Sequence, residues 1–355
     1  MHAREGADYR LNTESIGKNA MRLLQIGLGS WGRRWAELVQ STAGFAIGVI
    51  VETDPASRTW AVEHLALPSG LIFSTLDDAL AGAEIDAALV TTPPETHRAV
   101  AEAALQAGLH VLVEKPLATT LVDAQAMAAT AGQTGKTLMV SQNYRFTGMA
   151  RTMRQTMLSG QIGDLVAVRI AFRRDTRHQF PAGDFRYQMK HPLVLDMAIH
   201  HFDLLRAITG LEPVAVDARA WHVPDSPYIH DPACAALITL SGDVPVIYDG
   251  DWATHEPDTS WNGDWEITGT AGRLTWRGET IRVKRWGEAP VIVDSGHEPV
   301  DGRTGVLAAF ARAIAIGERA ETDVHDNLQS LALTLGCVAS VEATAPVSLE
   351  DGRER

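Results

Sequence analysis

One apolar stretch in the second half of the chain carries ionisable side chains at regular intervals. Within residues 193–208, which are apolar with helical periodicity, Asp196, His200 and Asp203 stand at positions i, i+4 and i+7. An α-helix would align these three side chains on one stripe. Because unpaired charge is costly among apolar side chains, the stripe indicates either catalysis or a satisfied structural pair.

A catalytic role for this stripe would be that of a general base with its orienting partner. Asp196 would hold the His200 imidazole through one ring nitrogen and leave the other nitrogen to take a substrate proton. Under the structural alternative, a His–Asp pair anchors the helix. His201 would point elsewhere and is expected to be structural or peripheral. One His with two Asp lacks a further recognisable ligand, so we expect no metal site.

A lysine stands where the chemistry of a hydroxyl group could be assisted. Lys115 follows an apolar, strand-like run that ends in Val113 and Glu114. Ligands of parallel sheets sit beyond the carboxyl ends of the strands. An ammonium group there can donate to a substrate hydroxyl and favour a developing alkoxide. The alternative is a surface lysine that pairs with the adjacent Glu114.

The segment that leads the first strand-like run into the first helical pattern is rich in glycine. Gly27, Gly29 and Gly32 form a Gly-x-Gly-x-x-Gly pattern. The first glycine permits a tight turn, the second lets a pyrophosphate approach the backbone, and the third lets the helix pack close to the strand. Glu52 ends the next apolar run, 20 residues after Gly32. An acidic residue at that distance holds the ribose hydroxyls, so the pattern predicts dinucleotide binding.

A proline-containing loop, residues 91–97, follows another strand-like run. Its backbone would border the nicotinamide ribose, and Glu95 would lie in the first turn of the next helix. We expect His97 to begin this helix or to contact the cofactor rather than to act as a catalytic base.

These residues can be positioned by a domain over residues 21–145 in which strands alternate with helices. Short apolar runs between helical patterns predict βαβ units and one parallel, doubly wound sheet. The predicted strands are 22–26, 46–51, 87–91, 110–113 and 137–140, and the predicted helices are 32–42, 55–65, 76–81, 95–107 and 119–134. Residues 1–20 are polar and lack the apolar core of a signal peptide, so we expect a flexible extension.

The pattern changes to period two in residues 146–355. Val166, Val168, Ile170 and Phe172 would face one way, with Ala and Arg between them. This predicts an α/β domain with an open, mainly antiparallel sheet, and its last helix is expected to pack back on the first domain. The predicted strands are 166–173, 214–220, 235–240, 244–249, 265–268, 273–276 and 280–285, and the predicted helices are 148–159, 303–317 and 325–342.

Composition bounds the class of protein and its partners. The chain has 355 residues, a net charge of −13, 21% charged and 45% apolar residues, as in a globular protein with two domains. The negative charge argues against nucleic acid or an anionic membrane as partner. Cys234 and Cys337 form no metal or redox spacing and suggest buried thiols in a reducing, cytoplasmic setting. The sequence contains no run of 18 apolar residues, so we expect no membrane span.

The glycine turn, the Thr-Pro-Pro-x-x-His loop, Glu-Lys-Pro and Asp-x-x-x-His-x-x-Asp occur together in one order. This set resembles the Gfo/Idh/MocA oxidoreductase family over residues 21–345. The resemblance implies a Rossmann domain, and a second domain whose open sheet commonly forms the oligomer interface. It implies Lys115, Asp196 and His200 as catalytic residues. It implies cofactor contacts from Gly27, Gly29, Ser30, Trp31, Gly32, Glu52, Thr92, Pro93, His97, Glu114, Lys115 and Asn143.

The chain departs from the family pattern beside the catalytic motif. Ala198 stands where many members have glycine, and Lys190, His191 and Pro192 replace a common Gly-Gly pair. Members that resemble inositol dehydrogenases tolerate the first change, so it carries little weight. The second alters the pocket wall and weakens any inference of substrate from better-known members. Candidate substrate contacts in this half of the chain are Arg173, Tyr187, Lys190 and His191.

We expect an NAD-dependent dehydrogenase that moves a hydride between nicotinamide and a secondary alcohol of a sugar, cyclitol or sugar derivative. Glu52 should repel a 2′-phosphate, while Arg33, Arg34 and Arg58 are close enough in sequence to leave NADP open. A homo-oligomer, dimer or tetramer, is expected through the open sheet. The alternatives are a cofactor-bound sensor or repressor without turnover, and a glycoside hydrolase assisted by NAD.

Overall fold

The computed structural model describes residues 20–81, 84–294 and 302–349. The chain divides into two compact units, which are described separately. The first contains residues up to 141 together with 307–324, and the second contains 142–306 together with the residues from 325 onward. The expected N-terminal extension, apart from Ala20, lies outside the described residues.

The first unit is built on a parallel six-stranded sheet with the strand order β3-β2-β1-β4-β5-β6. The strands Ala87–Val90 and Leu138–Ser141 are buried along their length, as the continuous apolar runs predict. Its elements are β1 Met21–Ile26, α1 Ser30–Ser41, β2 Phe45–Val51, α2 Pro55–Leu65, β3 Ile72–Phe73, α3 Leu76–Leu80, β4 Ala87–Val90, α4 His97–Gln106, β5 His110–Glu114, α5 Leu121–Thr134 and β6 Leu138–Ser141.

The doubly wound sheet of the first unit confirms the predicted fold class. Side chains before the helices set where they begin: Asp54 accepts from the amide of Ser57, and Thr120 accepts from the amide of Asp123, as preferred capping residues do. The strand order reverses between β1 and β4, which opens a crevice at the carboxyl ends of these strands. The two-residue β3 was not predicted, because so short a pairing leaves no periodic pattern in the sequence.

The second unit carries a nine-stranded sheet with the order β14-β13-β12-β11-β7-β10-β9-β8-β15. Strands β7 and β10 pair in parallel and their neighbours pair antiparallel, which confirms the predicted mainly antiparallel sheet. Its elements are α6 Gly148–Leu158, β7 Leu165–Arg173, a π-helical turn Leu193–Ala198, α7 Ile199–Thr209, β8 Pro213–Trp221, β9 Ala233–Leu240, β10 Val244–Asp251, β11 Asp264–Gly269, β12 Gly272–Arg277, β13 Thr280–Arg285, β14 Val291–Val293, the start of α8 Gly302–Ile316, nearly all of α9 Val324–Ala343 and β15 Val347–Ser348. The rest of α8 lies in the first unit.

One face of the nine-stranded sheet is buried and the other is open. Val168, Ile170 and Phe172 are buried on β7, as the period of two predicts. Val166 is 47% exposed. It lies at the start of the strand, before the buried run, and its direction remains a prediction.

The division into compact units falls after Ser141, and residues 307–324 return to the first unit. The domain boundary at residue 145 and the packing of the last helix on the first domain remain predictions. Thr322 explains the return, since its carbonyl accepts from the amide of Val140 and its hydroxyl donates to the Val140 carbonyl. These bonds satisfy backbone groups of the edge strand β6. Among the described helices, none is long and apolar enough to cross a membrane.

Candidate functional site

The glycine turn in the first unit forms a cradle between β1 and α1. Gly27 has a φ of +95°, a backbone conformation that favours glycine. A Cβ on Gly32 would clash with the carbonyl oxygen of Gly27, whereas a Cβ on Gly29 would meet nothing within 4 Å. Gly29 therefore faces open space at the start of α1, where Ser30 and Trp31 are exposed. This space suits a pyrophosphate against the helix N-terminus, so the residues fit a dinucleotide.

Glu52 lies at the end of β2 and its carboxylate is held by backbone amides. One oxygen accepts from Leu28 N at 2.5 Å and the other accepts from Asp54 N at 2.8 Å. A carboxylate oxygen has further lone pairs, so these bonds still allow Glu52 to accept from ribose hydroxyls. The amide of Leu28 ties the acidic residue directly to the glycine turn.

The arginines near Glu52 already have partners within the first unit. Arg33 donates to the Leu28 carbonyl at 3.2 Å and to the Ser57 hydroxyl at 3.1 Å, and its guanidinium lies 4.8 Å from the Trp60 ring centroid. Arg58 donates to the carbonyls of Glu52 and Thr53. Arg34 lies over the Trp31 ring.

His97 links the two loops that follow β4 and β5. Its Nδ1 lies 2.9 Å from the Pro116 carbonyl, and its Nε2 lies 2.9 Å from the Thr92 carbonyl. The side chain is fully buried, and burial lowers the pKa of the imidazole. A neutral ring donates to only one of these carbonyls. The structure thus gives His97 a bracing role beside half-buried Thr92 and exposed Pro93, while cofactor contact at His97 remains a prediction.

Glu114 organises the end of β5 next to Lys115. Its Oε1 accepts from the indole nitrogen of Trp35 at 2.6 Å, and its Oε2 accepts from the backbone amide of Lys115 at 3.1 Å. The buried carboxylate thereby ties α1 to the strand end that presents Lys115, which is half-buried. This gives Glu114 a supporting role in the structure, and its contact with a cofactor stays a prediction.

Asp196 in the second unit sits in a π-helical turn rather than in an α-helix. A π-helical turn changes the angular step between residues, so the predicted i, i+4, i+7 stripe is not a single α-helical one. Asp196 Oδ2 accepts from Arg186 Nε at 2.6 Å. The Arg186 guanidinium lies 4.7 Å from the Phe180 ring centroid and 4.5 Å from that of Phe185. The sequence motif did not point to Arg186.

His200 and Asp203 on α7 contact two consecutive residues, Tyr144 and Arg145, of one short turn. The rings of His200 and Tyr144 are stacked, with centroids 4.3 Å apart and planes inclined by 11°. Asp203 is paired with Arg145. Tyr144 and Arg145 belong to the 3-10 turn Asn143–Phe146. Neither partner was predicted from the sequence, since both lie more than fifty residues from the motif.

The Asp203–Arg145 pair belongs to a larger buried network. Arg145 Nη2 lies 2.7 Å from Asp326 Oδ2, and Ser330 Oγ donates to Asp203 Oδ1 at 2.7 Å. Arg206 pairs with Asp326 and also with Glu212. Asp203 is therefore structural, which resolves that part of the stripe in favour of a satisfied ion pair.

His201 has the structural role that the sequence predicts. It is fully buried, its Nδ1 lies 3.1 Å from the Tyr248 hydroxyl, and its Nε2 lies 3.0 Å from the Trp261 carbonyl. Burial lowers its pKa to about 4.

The candidate substrate residues differ widely in their surroundings. Tyr187 is buried and its hydroxyl lies within hydrogen-bond distance of three backbone carbonyls, which is the environment of a core residue. Arg173 pairs with Asp249 and Glu256. Lys190 is exposed.

His191, in the segment that replaces a Gly-Gly pair, has a φ of +48°. Its Nε2 lies 3.5 Å from a carboxylate oxygen of Glu342. The backbone thus keeps a left-handed conformation that glycine would adopt more easily. Asn143 belongs to the second unit, and its cofactor contact remains a prediction.

Comparison with known proteins agrees with both units. Residues 21–142 match the oxidoreductase family with an NAD-binding Rossmann fold, and residues 150–275 match the GFO/IDH/MocA C-terminal domain. The 1,5-anhydro-D-fructose reductase of Ensifer adhaerens is 26% identical over 92% of this chain and 98% of its own length. The inositol 2-dehydrogenase of Rhizobium meliloti is 26% identical over 91% of this chain and 98% of its own.

A solved structure shares the fold over 93% of this chain. It is an oxidoreductase from Agrobacterium radiobacter in complex with NAD+, L-tartaric acid and magnesium, with a TM-score of 0.85, 21% identity, and coverage of 93% of this chain and 99% of its own. Together with the glycine cradle and Glu52, these matches show that the chain belongs to the GFO/IDH/MocA family of NAD-binding oxidoreductases.

Proposed function

We propose that this protein is a dehydrogenase that oxidises a secondary alcohol of a sugar, a cyclitol or a sugar derivative, or reduces the matching ketone. The observation that supports it best is the cradle at the glycine turn, to which Glu52 is bound. Lys115 follows β5 at the carboxyl edge of the same parallel sheet. Relatives described as inositol 2-dehydrogenase and 1,5-anhydro-D-fructose reductase support a polyhydroxylated substrate.

In this proposal, three side chains have separate roles in the reaction at the carbinol group. A bound NAD would supply the acceptor for the hydride of the carbinol carbon. His200 takes the hydroxyl proton, so that the carbon–oxygen bond becomes a carbonyl as the hydride departs. Lys115 donates to the substrate oxygen and stabilises its developing negative charge. Asp196, held by Arg186 at 2.6 Å, supplies the negative charge that orients the imidazole.

The adenosine end of the cofactor is assigned to Glu52. Its carboxylate accepts from the ribose hydroxyls and repels a 2′-phosphate, so we propose NAD in preference to NADP. Ser30 and Trp31 at the start of α1, and Thr92 and Pro93 after β4, complete the proposed contacts within the first unit.

The test is turnover of a panel of sugars and cyclitols with NAD, which is monitored through the absorbance of NADH. The proposal predicts that His200→Asn keeps NAD affinity but loses turnover, while the control His178→Asn, at an exposed position, keeps both. If His200→Asn retained turnover, the proton transfer would have to be assigned to another residue. Binding of a sugar without turnover would favour a sensor, and product release without net NADH would favour a redox-assisted hydrolase.

A further inference from the structure

The stacked pair of Tyr144 and His200 brings a residue outside the sequence motifs against the proposed base. The centroids are 4.3 Å apart and the ring planes differ by 11°, so one face of the imidazole is covered by the phenol ring. The imidazole nitrogens lie in the ring plane of His200, which is nearly parallel to the phenol ring.

The turn that carries Tyr144 is held firmly within the second unit. Arg145, the next residue, binds Asp203, one helical turn after His200 on α7. Gly302 and Gly305 at the start of α8 approach the same turn so closely that a Cβ on either would clash with it. The phenol ring therefore stands on a rigid support rather than on a mobile loop.

We infer that Tyr144 is a positioning residue for His200: it fixes the plane of the imidazole by stacking on one face and leaves the ring edge to meet the substrate. This inference rests on the proposed function, in which His200 takes the proton. Helix α7 fixes the Cα of His200 and the ion pair at Asp203 fixes the helix, but neither fixes rotation about χ2. The stack adds to the orienting charge of Asp196 a restraint on the ring plane, which proton transfer needs because it is sensitive to direction.

The ring of Tyr144, rather than its hydroxyl, carries this role. Burial raises the pKa of the phenol; Asp196 raises it further and Arg174 opposes the rise. The group therefore stays neutral at working pH. Phenylalanine keeps the ring and its face, whereas leucine keeps only apolar volume.

The experiment compares Tyr144→Phe with Tyr144→Leu in the full-length protein. We expect Tyr144→Leu to lower kcat by about 10- to 100-fold with little change in NAD affinity, because a misdirected ring costs about this much. Tyr144→Phe should keep kcat close to that of the parent. Phe172→Leu is the matched control, since Phe172 contacts the structural His201 with centroids 4.8 Å apart, and it should leave kcat unchanged.

A second measurement needs no turnover. In protein labelled with 13C at histidine Cε1, the stacked phenol ring should shift the His200 resonance, which His200→Asn identifies by its loss. We expect Tyr144→Leu to remove the shift and Tyr144→Phe to retain it. If Tyr144→Leu does not fold, Tyr144→Met provides the ring-free variant.

Two results would overturn the inference: an unchanged kcat in the ring-free variant, or an equal loss of kcat in Tyr144→Phe and Tyr144→Leu, which would assign the effect to the hydroxyl. Failure of the proposed function looks different. In that case His200→Asn itself retains turnover, while the ring shift and its loss in Tyr144→Leu still report the stack.

Discussion

Arg145 and Asp203 form a two-point ion pair in the interior of the second unit. Arg145 Nε lies 2.6 Å from Asp203 Oδ2, and Nη2 lies 2.7 Å from Oδ1. The two side chains are only 5% and 1% exposed. The pair joins the turn that carries Tyr144 to the helix that carries His200, so it supports the geometry on which the proposed chemistry depends.

Removing one member of this pair should destabilise the protein strongly. Arg145→Met leaves the Asp203 charge buried and short of a partner, and we expect a loss of about 3–5 kcal/mol in the free energy of unfolding. Chemical denaturation measures it. The control is Arg169→Met, which removes an exposed ion pair with Glu266 at 3.6 Å and should cost less than about 1 kcal/mol. Equal losses in the two variants would contradict this account.

Two glycines of the cradle, Gly29 and Gly32, should respond differently to alanine. Gly32→Ala places a methyl group against the Gly27 carbonyl and should lower the melting temperature. Gly29→Ala points into open space and has an extended backbone, so it should fold normally and yet bind NAD much more weakly. Thermal unfolding and calorimetric titration with NAD separate the two effects. A Gly29→Ala variant with parental NAD affinity would place the pyrophosphate elsewhere.

Glu52 should govern which dinucleotide binds. A hydrogen bond to a charged group is worth about 1.5–3 kcal/mol, so Glu52→Ala should weaken NAD binding by roughly 10- to 150-fold. NADP affinity should fall less, because the variant also loses the repulsion of the 2′-phosphate. Fluorescence titration with each cofactor gives the ratio, and Glu37→Ala, at an exposed position on α1, is the control. Equal weakening for both cofactors would argue against ribose recognition by Glu52.

His201 should make stability depend on pH in mildly acidic solution. Its pKa is lowered by burial to about 4 in the folded protein, against about 6.5 in an unfolded chain. The unfolded chain therefore binds the proton first, and the free energy of unfolding should fall as pH drops from about 6.5 towards about 4. The full effect is about 3 kcal/mol.

The variant His201→Gln should flatten this dependence. Denaturation midpoints measured across that pH range give the slope of stability against pH. This slope, rather than the stability at one pH, tests the prediction. The exposed His178 provides the control, because His178→Gln should keep the parental slope. His97 also has a pKa lowered by burial, so a smaller slope should remain. An unaltered slope in His201→Gln would mean that other groups control the acid response.

The open face of the nine-stranded sheet is expected to join copies of the chain. Leu237 on β9 and Ile247 on β10 are register partners and are 53% and 48% exposed, which places apolar area on this face. Leu237→Asp should shift the protein towards monomer in light scattering after size exclusion. Val122→Asp alters an equally apolar position that is 70% exposed on α5, and it should change nothing. A parental protein that is already monomeric would refute the expectation.

Local features could be predicted from the sequence because their causes are local. Helix α2 runs over the predicted residues 55–65, with Asp54 as cap and Pro55 in its first turn. The glycine spacing and Glu52 pointed to the dinucleotide cradle, since a turn that needs a missing Cβ can use only glycine. The buried strands of the first sheet follow from continuous apolar runs.

Tertiary structure alone decided which distant side chains meet. Asp203 looked like a member of a catalytic stripe until the fold brought Arg145 to it from 58 positions away. Asp196, in the π-helical turn, is bound by Arg186, and Tyr144 was brought onto the ring of His200. Periodicity reports which face of an element is apolar, but it carries no information about the partner of a charge, because that partner is selected by how the elements pack.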